Sequence, residues 1–395
     1  DKDSANPGEL LAGHPRVDIT ANDVIYGEEQ HVPVGVAVRA DRTRFYWFDS
    51  RRAQVQQTID ATLRDRVNTL QFLAEGRVLV RSSSDIEPAA YYFFEPATRS
   101  LTEWVRARPW LQAERMSRTD TFVYKTSDGH EIESYLTMPR RSTGSGPVPL
   151  LVWVHGGPAA RDYWGFDPLV QFVASRGIAV LQPNFRGSTG FGIDFENAGH
   201  RQWGRRMQDD VTDGVRELVR QGRVDPQRIC IGGASYGGYA ALMGVIREPE
   251  LFRCAIDMVG PTDLIRNVES AQADYNRRRG SYIDKEIEDL LKVRMGDPDD
   301  PADRRMMEEN SPSRQAHRVK VPVLLVYGSD DRRVPLEHGT TMRDALRAAG
   351  ARVECRSYAG EGHGVWDRSH LVDLYRRIDQ FLMGSMRSSS QGKPP

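Results

Sequence analysis

Two rhythms of apolar and polar residues divide the chain near residue 120. Before it, short aromatic and β-branched runs recur: Arg44-Phe-Tyr-Trp-Phe48, Arg77-Val-Leu-Val80, Tyr91-Tyr-Phe-Phe94 and Leu101-Thr-Glu-Trp-Val105. Joins containing Pro, Asp and Ser mark turns, so the pattern predicts short antiparallel strands. Their spacing suits a sandwich, a barrel or propeller blades. A blade takes about 40–50 residues, so this region holds about two. A full propeller needs at least about four.

After residue 120 strands alternate with helices. Residues 121–126 and 132–138 flank Asp128-Gly129, a hairpin signal. Apolar runs at 150–154, 178–181, 228–231, 255–259 and 323–326 are short and nearly continuous, as strands covered on both faces are. Between them lie helical stripes. Asp167-Pro168 opens one and Gly177 ends it; Val211, Val215, Leu218 and Val219 form the next; Leu371, Leu374, Ile378 and Phe381 form the last. The prediction is α/β: a mostly parallel sheet with helices on both faces, preceded by a partial propeller-like all-β segment. The boundaries are an all-β region over 1–118, a catalytic domain over 119–384 and a disordered tail over 385–395. Residues 266–310 are dense in charge and read as a solvated helical excursion, or as a cap walling a site.

The chain has 395 residues, 39% hydrophobic and 28% charged, an ordinary globular composition. The net charge is -1, so no bulk attraction draws it to nucleic acid or an anionic surface. No apolar run approaches the roughly 18 residues of a membrane span. Only six of the 54 basic residues are lysine, a skew that fits a G/C-rich genome. A chain opening on Asp1 without a signal peptide reads as a processed or trimmed product, soluble and either cytoplasmic or exported. Of three cysteines, Cys230 and Cys254 sit in apolar runs and read as free packing residues, since an odd count argues against a disulfide framework. No spacing suggests a metal, and no cofactor is required.

The chemistry starts at Gly233-Ala-Ser235-Tyr-Gly237, a G-x-S-x-G after a strand and before a helix. So tight a turn lifts the Ser235 hydroxyl to the strand's C-terminal end, beside a helix N-terminus that favours negative charge. Serine needs a base and a group that orients it. Of the four histidines that follow, His363 lies in the glycine-rich loop Gly360-Glu-Gly-His-Gly364 after a strand. His338 and His370 lie in helical segments and read as surface residues; His317 reads as structural. The acid should follow another strand, and Gly328-Ser-Asp-Asp-Arg-Arg-Val-Pro335 offers both Asp330 and Asp331. Spacing alone does not choose between them. The order Ser…Asp…His is that of an α/β-hydrolase. Oxyanion donors would be the N–H of Tyr236 and a group on His155-Gly-Gly-Pro158, either its backbone or the His155 ring.

Together with Asn184-Phe-Arg-Gly-Ser-Thr-Gly-Phe-Gly192 and Asn310-Ser-Pro312, these motifs resemble the prolyl oligopeptidase family of serine peptidases, nearest its acylaminoacyl- and dipeptidyl-peptidase-like branches. The resemblance covers about residues 119–383. It implies an α/β-hydrolase domain capped by a size-filtering propeller. It also implies the triad Ser235, Asp331 and His363, with oxyanion donors Tyr236 and Gly157. In some branches a tyrosine stands at the His155 position; the resemblance to the acylaminoacyl branch implies that here the role passes to the Gly157 backbone. Residues implied near the substrate are His155, Pro261 and Leu264, and Glu28-Glu29 is the candidate for holding a substrate amine. The implied substrates are short peptides, with a carboxylesterase or an inactive partner-binding fragment as alternatives. Open blade edges leave room for self-association or for docking of a further propeller portion.

Overall fold

In the computed structural model, residues 12–27, 32–73, 76–140, 146–277 and 282–387 are described, residues 271–277 and 282–288 for their backbone alone. Glu28, Glu29 and the last residues of the tail lie outside the described residues. The chain divides into two compact units. One comprises Asp1–Thr119, Tyr163–Asp167 and Gly190–Ile193; the other comprises Asp120–Asp162, Pro168–Thr189 and Asp194–Pro395.

Among the described residues the first unit holds two antiparallel sheets. Strands β1 (Val24–Tyr26), β2 (Pro33–Arg39) and β3 (Thr43–Trp47) make the smaller. Strands β4 (Val67–Phe72), β5 (Val78–Ser83), β6 (Ala90–Glu95) and β7 (Ser100–Arg106) make a four-stranded meander, the strand pattern of one propeller blade. Along β5 and β6 every second residue is buried: Val78, Val80, Ala90, Tyr92 and Phe94. Helix α1 (Ser50–Thr62), which the strand rhythm did not predict, completes this core with Val55 and Ile59. Its apolar stripe is only that i, i+4 pair, too narrow to stand out in a polar sequence. Asp49 caps it by accepting the Arg52 N–H at 2.7 Å.

The second unit is an eight-stranded sheet in the order β15-β14-β13-β12-β10-β11-β9-β8. Its strands are β8 (Thr119–Lys125), β9 (Glu131–Thr137), β10 (Val148–Val154), β11 (Ala179–Pro183), β12 (Val224–Ala234), β13 (Cys254–Met258), β14 (Val323–Gly328) and β15 (Val353–Tyr358). From β11 to β15 neighbours pair in parallel, and β9 runs antiparallel to β11. The helices are α2 (Pro168–Ser175), α3 (Ile193–Asn197), α4 (Arg206–Arg220), α5 (Tyr236–Arg247), α6 (Leu264–Arg277), α7 (Tyr282–Met295), α8 (Pro301–Glu309), α9 (Leu336–Ala348) and α10 (Arg368–Ser385).

The strand period of two sorts side chains into two cores. Leu150, Val152 and Val154 join Val211 and Val215 of α4 and Leu242 and Val245 of α5. Leu151 joins Val173 of α2 and Leu374 and Ile378 of α10. Each such aliphatic contributes roughly 1.5–3 kcal/mol by leaving water, which is why these strands read as continuous apolar runs.

That geometry overturns the reading of the cysteines. Cys230 and Cys254 face each other in the β12–β13 register and form a disulfide, with Cα atoms 4.8 Å apart. Parallel strands in register put paired residues on one face, a relation invisible in the cysteine count; Cys355 is the free third. Among the described residues, no helix is long and apolar enough to cross a membrane.

Candidate active site

The parallel strands end along one edge of the sheet, and the loops there carry Ser235, Asp331 and His363. Ser235 sits between β12 and α5 with φ 58° and ψ −123°, a region costly for a residue with a side chain. The ladder holds it: its N–H donates to the Met258 carbonyl at 2.8 Å, and its carbonyl accepts the Gly238 N–H at 2.9 Å. A side chain at Gly233 or Gly237 would collide with the Val154 carbonyl, so only G-x-S-x-G closes this turn. Gly156 packs against the elbow as well; a methyl there would lie 3.3 Å from the Ser235 Cβ.

The loop after β14 brings Asp331 to the loop after β15. The His363 Nδ1–H donates to Asp331 Oδ2 at 2.7 Å, which leaves Nε2 free of that contact. The second carboxylate oxygen of Asp331 accepts the N–H groups of Arg333 (2.8 Å) and Val334 (3.0 Å). Asp330 instead turns outward, accepting from the Ser329 hydroxyl at 2.6 Å. Backbone bonds join the two loops: Asp330 N–H to Glu361 O and Ser329 N–H to Tyr358 O, both 2.9 Å.

Sequence reasoning missed what fixes the histidine loop. The buried Glu361 carboxylate accepts the Trp366 N–H (3.0 Å) and the Asp367 N–H (2.9 Å), and meets His370 Nδ1 at 2.8 Å. His370 is therefore half-buried and engaged rather than a surface residue. His338 departs further. It is fully buried, its Nδ1 accepts the Thr262 N–H at 3.1 Å, and burial lowers its pKa to about 4. Helical periodicity misled here because the residue faces the loop that follows β13. His317 is exposed.

The expectations for ligand-facing side chains need correction. The His155 ring stacks on Phe185 (4.5 Å between centroids), and both nitrogens have internal partners, the Gly156 carbonyl at 2.8 Å and the Ser188 hydroxyl at 2.9 Å. Burial lowers its pKa to about 4, so it is a neutral wedge under the loop, unavailable as an oxyanion donor. Leu264 has no exposed surface and belongs to the core, and Pro261 is buried too. Apolar character drew these residues into the core, where it is equally satisfied. The expected donors differ in setting. Tyr236 opens α5, where a first-turn N–H has no intrahelical partner, and Gly157 is exposed on its loop with φ 119°. A groove of about 380 Å³ lies elsewhere, lined by Phe172 of α2, Arg176 just beyond it, and Leu371 and Tyr375 of α10, and holds none of these residues.

Known proteins carry the same frame. The chain is 34% identical to dipeptidyl aminopeptidase BIII of Pseudoxanthomonas mexicana over 346 residues, 83% of this chain and 48% of that protein. It is 31% identical to dipeptidyl peptidase family member 6 of Caenorhabditis elegans, over 80% of this chain and 44% of that one. The chain thus spans about half the length of these relatives. Among solved structures, a Mycobacterium tuberculosis puromycin-hydrolyzing peptidase superposes with TM-score 0.69 at 26% identity, over 78% of this chain and 46% of that chain. The Pyrococcus horikoshii acylaminoacyl peptidase superposes with TM-score 0.72 at 21% identity, over 91% and 55%, a likeness of fold. The model of the prolyl oligopeptidase family matches residues 164–389, from α2 through the serine elbow and both loops to the end of α10, and the chain belongs to that family.

Proposed function

We propose that the protein is a serine peptidase acting on short peptides through an acyl-enzyme. The observation that carries the reading is the hydrogen bond from His363 to the buried Asp331, at the sheet edge where the strained Ser235 turn ends β12. Asp331 holds the imidazole in the tautomer whose Nε2 can accept a proton, and stabilises the cation that forms. Ser235 Oγ attacks the peptide carbonyl carbon as its proton passes to His363 Nε2. The N–H groups of Tyr236 and Gly157 receive the negative oxygen. The C–N bond breaks, and the amine leaves with the proton from His363. Water then attacks the acyl carbon and gives a proton to His363; the bond from the acyl carbon to Ser235 Oγ breaks, His363 returns the proton to that oxygen, and the acid leaves. The names of the relatives, dipeptidyl aminopeptidase and acylamino-acid-releasing enzyme, favour release of short amino-terminal units of the dipeptidyl or acylaminoacyl kind.

Fluorophosphonate labelling of the native chain tests the reading, with Ser235→Ala as the unlabelled control. Absence of labelling would remove the hydrolase. Labelling with turnover of p-nitrophenyl esters but no peptide anilides would replace the peptidase by an esterase.

A further inference from the structure

Behind the serine turn lies a buried carboxyl group that the proposed reaction does not use. Asp257 stands on β13 beside Gly233 of β12, with no exposed surface. Its Oδ1 accepts the Gly260 N–H at 2.8 Å, and its Oδ2 lies 2.6 Å from the Tyr327 hydroxyl. That hydroxyl lies 2.7 Å from the Gly260 carbonyl as well. A phenol has one proton, and it faces two oxygens at short range. A carboxylate and a carbonyl both need a donor, so one contact lacks a proton if Asp257 is ionised. The count closes if Asp257 carries the proton. Its O–H then donates to the Tyr327 oxygen, Tyr327 donates to the Gly260 carbonyl, and the Gly260 N–H donates back to Asp257.

The surroundings agree with the count. The ionisable groups facing Asp257 are Tyr327 on β14 and the Cys355 thiol on β15, with Asp331 acting on Tyr327 from beyond; none supplies a positive charge. α5 and β12 present Gly238 and Gly233, and a side chain at Gly238 would strike the carboxyl oxygen. Among the described residues no Lys, Arg or His is paired with it. Burial pushes its pKa up to about 7.

We propose that Asp257 is a protonated positioning residue that locks the turn behind Ser235 to the strand that delivers Asp331. The ring ties residues 258–260 to Tyr327. Within that turn Met258 O receives the Ser235 N–H, and Val259 N–H reaches Val326 O at 2.8 Å. Ionisation would leave the Tyr327 proton contested and free one side of the lock. The serine arm of the test rests on the proposed nucleophile; the stability arm does not.

Asp257→Asn is the test, because an amide reproduces the neutral acid: Nδ2–H donates to Tyr327 and Oδ1 accepts from Gly260. The unfolded chain ionises this group near its ordinary 3.8, while the folded chain keeps the proton to about 7. Wild-type stability from this group is therefore present at low pH and lost as pH rises between those values. Thermal melting of both proteins from pH 4 to 9 should show near-equal midpoints at pH 4. The variant should gain steadily to about pH 7 and stay several degrees higher above it. The rate of fluorophosphonate labelling at Ser235, each protein referred to its own pH 7 value, should fall on the alkaline side relative to the variant. A variant that melts lower at pH 8, tracks wild type at every pH, or fails to fold overturns the protonated assignment. If neither protein labels at any pH, the serine reading fails and the melting series still decides Asp257.

Discussion

The two units bury apolar residues in different ways, and the difference explains where a turn such as that of Ser235 can sit. In the four-stranded sheet one face packs under α1, while β7 leaves Trp104 and Val105 62% and 45% exposed. In the eight-stranded sheet the central strands are covered on both faces, and Leu150, Leu151, Ile231 and Leu324 have no exposed surface. A sheet locked from both sides fixes its strand ends. Only there can a backbone such as that of Ser235 be held, at a cost on the order of 1–3 kcal/mol.

The sharpest division falls between adjacent residues on one loop of the second unit. Asp331→Asn keeps the shape and removes the charge that orients His363, so turnover should fall by about 10⁴-fold. Asp330→Asn, on the outward-facing neighbour, should leave the rate nearly unchanged. Steady-state kinetics on peptide anilides reads both; equal losses would mean that the loop as a whole, rather than one carboxylate, sets the imidazole.

Core truncations test whether the units are separable. Leu150→Ala should cost about 2–5 kcal/mol and reduce labelling of Ser235 together with the melting temperature. Ile59→Ala, equally buried in the first unit, should raise hydrogen exchange over residues 50–106 and leave labelling intact. Loss of labelling in Ile59→Ala would make the two units one energetic body.

How far the sequence could be read follows the same division. Strands covered on both faces are continuous apolar runs, so the second unit's order was visible in the chain. The serine turn announced itself because Gly233 and Gly237 are demanded by backbone contact. Helix α1 was hidden because two residues make its stripe. His338, Asp257 and the Cys230–Cys254 bridge were hidden for another reason: each depends on register between strands or on a loop packing over a helix, and neither has a local period. A signal did exist for Asp257. It is the one charge inside the apolar run 254–259, where an unpaired carboxylate would be prohibitive.

Burial of polar groups in the second unit also gives a pH response opposite in sign to that of Asp257. His338 and His155 are both held near 4 by burial, against an ordinary 6.5. As pH falls from 6.5 to 4 the unfolded chain takes up protons that the folded chain refuses. The stability is full above 6.5 and is lost down to about 4, by roughly 3 kcal/mol for each group. His338→Asn keeps an acceptor for the Thr262 N–H and removes one titration, so the acid-side loss in melting temperature should shrink by about half of the histidine share. An unchanged slope would show that the folded state lets this ring charge.

The smallest effect belongs to the first unit's open face. Trp104 lies on β7, an edge strand of the four-stranded sheet whose outer side has no strand neighbour among the described residues, and such edges pair with other strands. Its ring contacts Phe93 at 5.4 Å, yet most of its surface is exposed. Trp104→Ser should change stability by no more than about 0.5 kcal/mol, the usual range for a surface site. It should leave Asp331-dependent turnover untouched, because Ser235, Asp331 and His363 all lie in the second unit. What it should change is association: sedimentation velocity at rising concentration should find less self-association than in wild type. Equal association in both proteins would take β7 out of any interface and leave its exposed tryptophan without a role in contact between chains.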